Sequence, residues 1–211
     1  MSLADRLRGL YGILDVPARQ SPVELASALL EGGVRVIQLR MKTGDARAML
    51  AACDALLPLC QRERALFIVN DRLDVALAAG ADGVHLGQRD LTLADARRLA
   101  PAGFLIGIST HDLDQARAAD AGGADYLGFG PVFATTTKEN PDAIVGLAGL
   151  ASACAAVRAP VVAIGGISLA DAPALARAGA TGAALISAIA RAPDVAAAAR
   201  SFNEAFHSAK A

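Results

Sequence analysis

FIVNDRLDVALAAGADGVHLGQRD, residues 67–90, holds a complete strand–helix–strand unit with polar chemistry at both strand ends. Leu66 to Val69 is a short apolar run that suits a buried strand, and it stops at Asn70-Asp71. Arg72 to Ala79 carries Val75, Ala76 and Ala79 on one helical face, and Gly80 ends it. Gly83 to Leu86 is a second short strand that opens into Gly87-Gln88-Arg89-Asp90. A helix between two buried strands implies a parallel, right-handed crossover. Both polar clusters then lie at the C-terminal edge of the sheet, where folds of this class place their sites. Asp71 and Asp90 come from neighbouring strand ends and could share one divalent cation. Mg²⁺ is usually held by one or two carboxylates plus a substrate's phosphate oxygens. The plainer reading of Asp71 is a helix N-cap, a common role for Asp after a strand.

The same unit recurs along the chain. Leu10 to Asp15 reads as the first strand, with Tyr11, Ile13 and Asp15 on one face. Pro22 to Glu31 follows as a helix with Ser21 as N-cap and Pro22 at its first position. Val34 to Arg40 is the second strand. In a parallel barrel the outer face meets helices and must be apolar. Ile37 and Leu39 therefore point outward, while Gln38 and Arg40 point into the lumen with Lys42 just beyond. A buried Arg needs a paired anion. Further strands are expected at Leu105–Ser109, Tyr126–Gly130, Val161–Ile164 and Gly182–Ile186, with helices between them. The phrase Gly-Ala-Asp/Thr before a strand recurs at residues 80, 123 and 179 and marks the helix-to-strand turns. Eight strands, each followed by a helix, predict a (β/α)₈ TIM barrel, one α/β domain over residues 1–211.

With 211 residues and 54% hydrophobic content, the chain can build one sizeable core. The formal net charge of −1 offers no bulk field for nucleic acid or an anionic membrane. Aromatics are 4% with no Trp, too few for base-stacking platforms. Residues 1–8 (MSLADRLR) have no apolar h-region, and no uncharged apolar run reaches about 18 residues, so neither a signal peptide nor a membrane span is expected. Cys53, Cys60 and Cys154 are odd in number and lack metal-ligand spacing. They read as thiols of a reduced cytoplasm.

At the expected mouth, Gly165-Gly166 and Ile186-Ser187 end the last two strands, where such barrels bind phosphate through backbone N–H groups. Glycine is expected there because a side chain would block the phosphate oxygens. Tyr126, Gly128 and Gly130 share the lumen-facing parity, which should leave room for a ligand. The long segment from Pro131 to about Ala143 offers Thr135, Thr136, Thr137 and Lys138 as an anion-binding cover; its bland alternative is a solvated surface loop. Across the mouth, Arg40, Lys42, Ser109 and Lys138 join Asp71 and Asp90 in a more highly charged pocket that suits a Mg²⁺-diphosphate. Two anionic ligands facing each other suit group transfer with diphosphate as leaving group. His85 takes the inward parity; a lone inward His is more often a satisfied core residue than a catalyst.

These segments resemble the thiamine-phosphate synthase (thiamine-phosphate pyrophosphorylase) family. The resemblance rests on Gln38-Leu39-Arg40-Met41-Lys42, Asn70-Asp71-Arg72, GADGVHLGQRD (80–90), Gly107-Ile108-Ser109-Thr110-His111, YLGFGPVFATTTK (126–138), Val162-Ala163-Ile164-Gly165-Gly166-Ile167 and Ile186-Ser187-Ala188-Ile189. They run in the family's order over nearly the whole chain. One departure is Leu14 before Asp15, where the family usually has Thr; Leu14 takes the outward parity.

The resemblance implies an enzyme, a transferase of thiamine biosynthesis. It would join 4-amino-2-methyl-5-hydroxymethylpyrimidine diphosphate to 4-methyl-5-(2-phosphoethyl)thiazole and release diphosphate. It implies Mg²⁺ on Asp71 and Asp90. It puts the pyrimidine diphosphate on Gln38, Leu39, Arg40, Met41, Lys42, Asn70, Ser109 and Lys138, and the thiazole phosphate on Thr135, Thr136, Thr137, Gly166, Ile186 and Ser187. Arg40, Lys42, Ser109 and Lys138 are the expected catalytic set. No nucleic acid or membrane partner is expected, and a homo-oligomer is left open. The rivals are a thiazole tautomerase of the same fold, a non-catalytic thiazole-phosphate sensor, and a barrel isomerase using His85 with Asp15 as its acid–base pair.

Overall fold

The computed structural model describes residues 2–16, 21–135 and 142–209. In chain order these form α1 (Leu3–Arg6), β1 (Gly9–Val16), α2 (Pro22–Glu31), β2 (Val36–Met41), α3 (Ala46–Arg62), β3 (Leu66–Asn70) and α4 (Leu73–Ala79). Then come β4 (Gly83–Leu86), α5 (Leu93–Leu99), β5 (Leu105–Thr110), α6 (Leu113–Ala121), β6 (Tyr126–Phe129), α7 (Gly146–Ala156) and β7 (Val161–Ile164). A 3₁₀ turn (Leu169–Asp171), α8 (Ala172–Arg177), β8 (Gly182–Leu185), α9 (Ser187–Ala190) and α10 (Val195–Ser208) complete the chain. The strands pair in parallel in sequence order, and β8 returns to β1 to close the barrel.

Period-2 alternation sorts the strand residues into two cores. Leu10, Leu14, Ile37, Leu39, Phe67, Val69, Val84 and Leu86 face outward and pack against the helices. Tyr11, Ile13, Val36, Leu66, Ile68, Tyr126, Val162 and Ala184 fill the lumen. Each fully buried aliphatic side chain contributes about 1.5–3 kcal/mol. The lower lumen is therefore a packed core rather than a pore.

Local sequence sets the element ends. Asp45, Thr92 and Asp112 cap α3, α5 and α6 by accepting from the N–H groups of Ala48, Asp95 and Gln115. Ser21 stands at the N-cap of α2 without a side-chain cap bond, and Pro22 starts that helix. Gly80 ends α4 in the left-handed conformation, φ 69°. The recurring Gly-Ala-Asp phrase also has a structural role. Asp82 Oδ2 accepts from Phe67 N at 2.8 Å, and Asp125 Oδ2 accepts from Ile106 N at 2.7 Å. Each Asp thus pins the start of its own strand to its neighbour. The last helix is tied to the first strand by Asn203, whose Oδ1 accepts from Leu10 N at 2.8 Å.

Cys53 and Cys60 lie buried on the inner face of α3, and burial pushes their thiols up to about 11 and about 12. Among the described residues no helix is long and apolar enough to cross a membrane.

Candidate active site

The register aligns Asp15 with Arg40 across β1 and β2, and Arg40 Nη1 donates to Asp15 Oδ1. Both side chains are largely buried, at 21% and 29% exposure, so the inward Arg carries its own counter-anion. Lys42, one residue past β2, donates from Nζ to Asp71 Oδ2 at 2.5 Å. Asp71 adopts a left-handed φ of 63°, a conformation Asp tolerates better than most residues. Its N–H donates to the His85 carbonyl at 2.8 Å, which extends the β3–β4 ladder one residue past Asn70. The N-cap of α4 is Arg72, with no side-chain cap bond, so Asp71 is not a helix cap. Its carboxylate is directed at Lys42 and Asp90 instead.

Asp90 folds back so that Oδ2 accepts from Gly87 N at 2.7 Å. Burial raises its carboxyl above the usual range. The charge and hydrogen bond of Asp71 add to this, while the Gly87 N–H and Lys42 oppose it. Asp71 lies close enough to Asp90 to disfavour its ionisation, and with an ammonium drawn against Asp71 the pair suits a small hard cation. Among the described residues no group of three or more His, Cys, Asp or Glu gathers as a metal site. A Mg²⁺ on this pair would therefore complete its shell with ligand oxygens and water.

Below these charges lies a buried polar chain. Gln38 Nε2 donates to Tyr11 Oη at 2.9 Å, and Tyr11 Oη meets Tyr126 Oη at 2.9 Å. Tyr126 Oη meets His85 Nδ1 at 3.1 Å, and His85 Nε2 meets Ser109 Oγ at 2.9 Å. Burial pushes His85 down to about 4 against a weaker upward pull from Asp71, so the ring is neutral. Burial likewise pushes both tyrosines well above their ordinary values. His85 is thus a satisfied inward residue. Its partners are Tyr126 and Ser109, and Asp15 is engaged by Arg40, so the His85–Asp15 pair of an isomerase is not assembled.

Two expectations about glycine change. Gly128 and Gly130 do not leave space for a ligand. A Cβ on Gly128 would lie 3.1 Å from His85 Cε1, and one on Gly130 would lie 2.0 Å from the Ile164 carbonyl. The room at Gly128 holds the His85 ring. Gly165 and Gly166 have φ of 93° and 66°, and a Cβ on Gly166 would fall 2.3 Å from the Ala134 carbonyl. Glycine is required there by backbone conformation and by the close pass of residues 133–134, whatever binds above. Gly166 and Ser187 are exposed at the mouth, with Ile186 half-buried beside them.

Among the remaining site candidates, Asn70 ends β3 half-buried opposite His85. Leu39 is fully buried against the helices, and Met41 is half-buried against the same core. Thr135 is half-buried at the edge of the long loop, and Thr136, Thr137 and Lys138 lie outside the described residues. Residues that the sequence reading gave no site role also converge here. Gln88 Nε2 donates to the Ser109 carbonyl at 2.6 Å. His111 Nδ1 donates to the Gly130 carbonyl at 2.6 Å, and its Nε2 lies 3.4 Å from Asp142 Oδ2, beyond the loop. Inward parity was the available signal for Tyr11, Asp15 and Tyr126. Which groups they would meet was not in the sequence.

Comparison with known proteins follows the same line. The model of the family described as thiamine monophosphate synthase matches residues 10–189. A thiamine-phosphate synthase of Anaeromyxobacter dehalogenans is 50% identical over 206 residues, covering 98% of this chain and 91% of that one. One from Methanospirillum hungatei is 47% identical, covering 92% and 95%. The solved structure of a thiamine phosphate pyrophosphorylase from Pyrococcus furiosus superposes with a TM-score of 0.90 at 39% identity, covering 99% of each chain.

Proposed function

The chain belongs to the thiamine monophosphate synthase family and is a transferase of that family, and on that premise we propose how its mouth carries out the reaction. The substrates are 4-amino-2-methyl-5-hydroxymethylpyrimidine diphosphate and 4-methyl-5-(2-phosphoethyl)thiazole. The products are thiamine phosphate and diphosphate. The observation that carries this reading is the cluster of Arg40, Lys42, Asp71 and Asp90 at one side of the mouth. It offers two cations and a facing carboxylate pair, more charge than a phosphate monoester needs.

Asp71 and Asp90 would hold Mg²⁺, which when bound supplies Lewis-acid stabilisation of charge on diphosphate oxygens. Lys42 is half-exposed, at 52%, and can leave Asp71 for the diphosphate. Arg40 stays anchored by Asp15 and presents its remaining guanidinium N–H groups to the same anion. The C–O bond breaks with its electron pair leaving on diphosphate, and the aminopyrimidine delocalises the cation left behind. The thiazole nitrogen then donates its lone pair to form the C–N bond. No proton need leave that nitrogen, which fits a site whose histidine is neutral and internally bonded. Positioning of the two substrates supplies much of the remaining acceleration. Lys138 joins the diphosphate set, and Thr135, Thr136, Thr137, Gly166, Ile186 and Ser187 hold the thiazole phosphate; these assignments rest on resemblance.

The test is a coupled assay with both substrates and Mg²⁺, following diphosphate release and thiamine phosphate, the latter as fluorescent thiochrome after oxidation. Stoichiometric appearance of both products, abolished by EDTA, is expected. Folded protein that yields neither product would overturn the reading and redirect attention to thiazole isomerisation.

A further inference from the structure

We infer that Tyr11, Tyr126 and His85 are positioning residues that carry one hydrogen-bond polarity across the lumen, from Gln38 to Ser109, and so present Ser109 to its ligand as a donor. This deepens the reading above and rests on it for the identity of the ligand.

The proton count of each member fixes the direction of each bond. Gln38 Nε2 donates to Tyr11 Oη. A phenol has one proton, so Tyr11 sends it to Tyr126, 2.9 Å away. Tyr126 has then accepted from Tyr11 and sends its own proton to His85 Nδ1, 3.1 Å away. A neutral imidazole with an acceptor Nδ1 carries its proton on Nε2. That proton goes to Ser109 Oγ at 2.9 Å, so the serine accepts from within the protein. Among the described residues His85 is the one partner of Ser109 Oγ, and the hydroxyl proton is left to point at the mouth. At the other end Gln38 has spent a donor, and its Oε1 is left as an acceptor. Reversing the Gln38 amide would reverse every bond in the row, because each of the three interior members has one proton and two partners, so it donates to one and accepts from the other.

The two ends therefore read a ligand that carries a donor near Gln38 and an acceptor near Ser109. A primary amine beside a ring nitrogen, the edge of an aminopyrimidine, has this pattern, and a ring oxo group in place of the amine does not. The packing supports a built device. A Cβ on Gly107 would lie 2.2 Å from Tyr126 Cζ, so glycine at this strand position is what admits the phenol. No buried side-chain N or O among the described residues lacks a partner.

The test begins with the unmodified protein. Long-range ¹H–¹⁵N correlation at pH 8 resolves the ring nitrogens of its 3 histidines, and His85→Gln identifies the signals of interest. A neutral Nε2–H tautomer for His85 is expected; an Nδ1–H tautomer would overturn the proposed polarity. Tyr11→Phe and Tyr126→Phe then remove one relay member each. Both should raise KM for the pyrimidine diphosphate about five- to tenfold while KM for the thiazole phosphate stays within about twofold. Tyr126→Phe should also shift the His85 Nδ1 signal. Equal effects on both KM values, or none, would reduce the row to a packing feature. The tautomer is read without turnover. Nε2–H in a protein that makes no thiamine phosphate would fail the functional reading and leave the relay standing. Nδ1–H in an active enzyme would do the reverse.

Discussion

Asp90 illustrates how much a single position depends on its neighbours. Its carboxyl is raised by burial and by Asp71, and the proposed Mg²⁺ would offset that repulsion. Asp90→Ala should lower turnover by about 10²-fold or more at fixed Mg²⁺, while thiazole-phosphate affinity measured by calorimetry stays within about twofold. Parallel loss of both would mean the two anion pockets are not separate. His85 gives a pH prediction. Its folded value of about 4 lies below the ordinary 6.5. Between these values the unfolded chain binds a proton that the folded protein does not, so stability falls as pH drops through that window and levels off below it. The total is on the order of 3 kcal/mol. Urea unfolding at pH 4.5 and pH 7.5 should show a smaller difference in His85→Gln than in the parent protein. Identical pH slopes would mean His85 is not kept neutral by burial. The inward placement of His85 was legible from strand parity. Its bonds to Tyr126 and Ser109 were not, because they join residues 41 and 24 positions apart in sequence, respectively.

At the scale of elements, the strands and their order follow from short apolar runs bounded by Gly and Asp, and the boundaries moved by one or two residues. The helix expected between the last two strands is a 3₁₀ turn followed by α8, with Ser168 and Asp171 bonding each other around the first turn. The short helices α1 and α9 carry too few residues for a periodic signal. The Asp of the Gly-Ala-Asp turns has a measurable task. Asp125 Oδ2 accepts from Ile106 N and from Arg97 Nη2, each at 2.7 Å, so it ties β5, β6 and α5 together. Asp125→Ala leaves a partly buried N–H unpaired and should cost about 1–3 kcal/mol in chemical denaturation. A loss below about 0.5 kcal/mol would mean that water replaces the carboxylate without penalty. Gly107→Ala should be worse than Gly128→Ala, because its methyl would meet the Tyr126 ring at 2.2 Å rather than the His85 ring at 3.1 Å. The reverse order in melting temperature would show that Tyr126 shifts freely.

For the whole molecule, closure of the barrel brings the ends of β1 to β4 into one charged mouth, and binding there should stabilise the entire fold by mass action. Mg²⁺ together with inorganic diphosphate should raise the melting temperature by more than the sum of the two added alone. Each would complete the other's coordination if Asp71 and Asp90 hold the ion as proposed. Additive shifts would argue against a shared Mg²⁺-diphosphate site. The sequence carries this scale only indirectly. Residues 15, 40, 42, 71 and 90 are spread over the first half of the chain, and nothing local says that Asp15 meets Arg40 or that Lys42 meets Asp71.

The sequence by itself determined the (β/α)₈ class, the inward and outward faces of the strands on which polar and apolar residues alternate, and the set of polar residues at the strand ends. Those properties depend on local periodicity, on turn chemistry and on the requirement that a parallel sheet be apolar on its helix side. Tertiary structure alone decided the pairings: Asp15 with Arg40, Asp71 with Lys42, and the row from Gln38 to Ser109. It also decided that Gly128 makes room for His85 rather than for a ligand. Pairing depends on the register and stagger of the closed barrel. A side chain's inward direction is fixed by its own strand, but its partner is fixed by the strand beside or across from it.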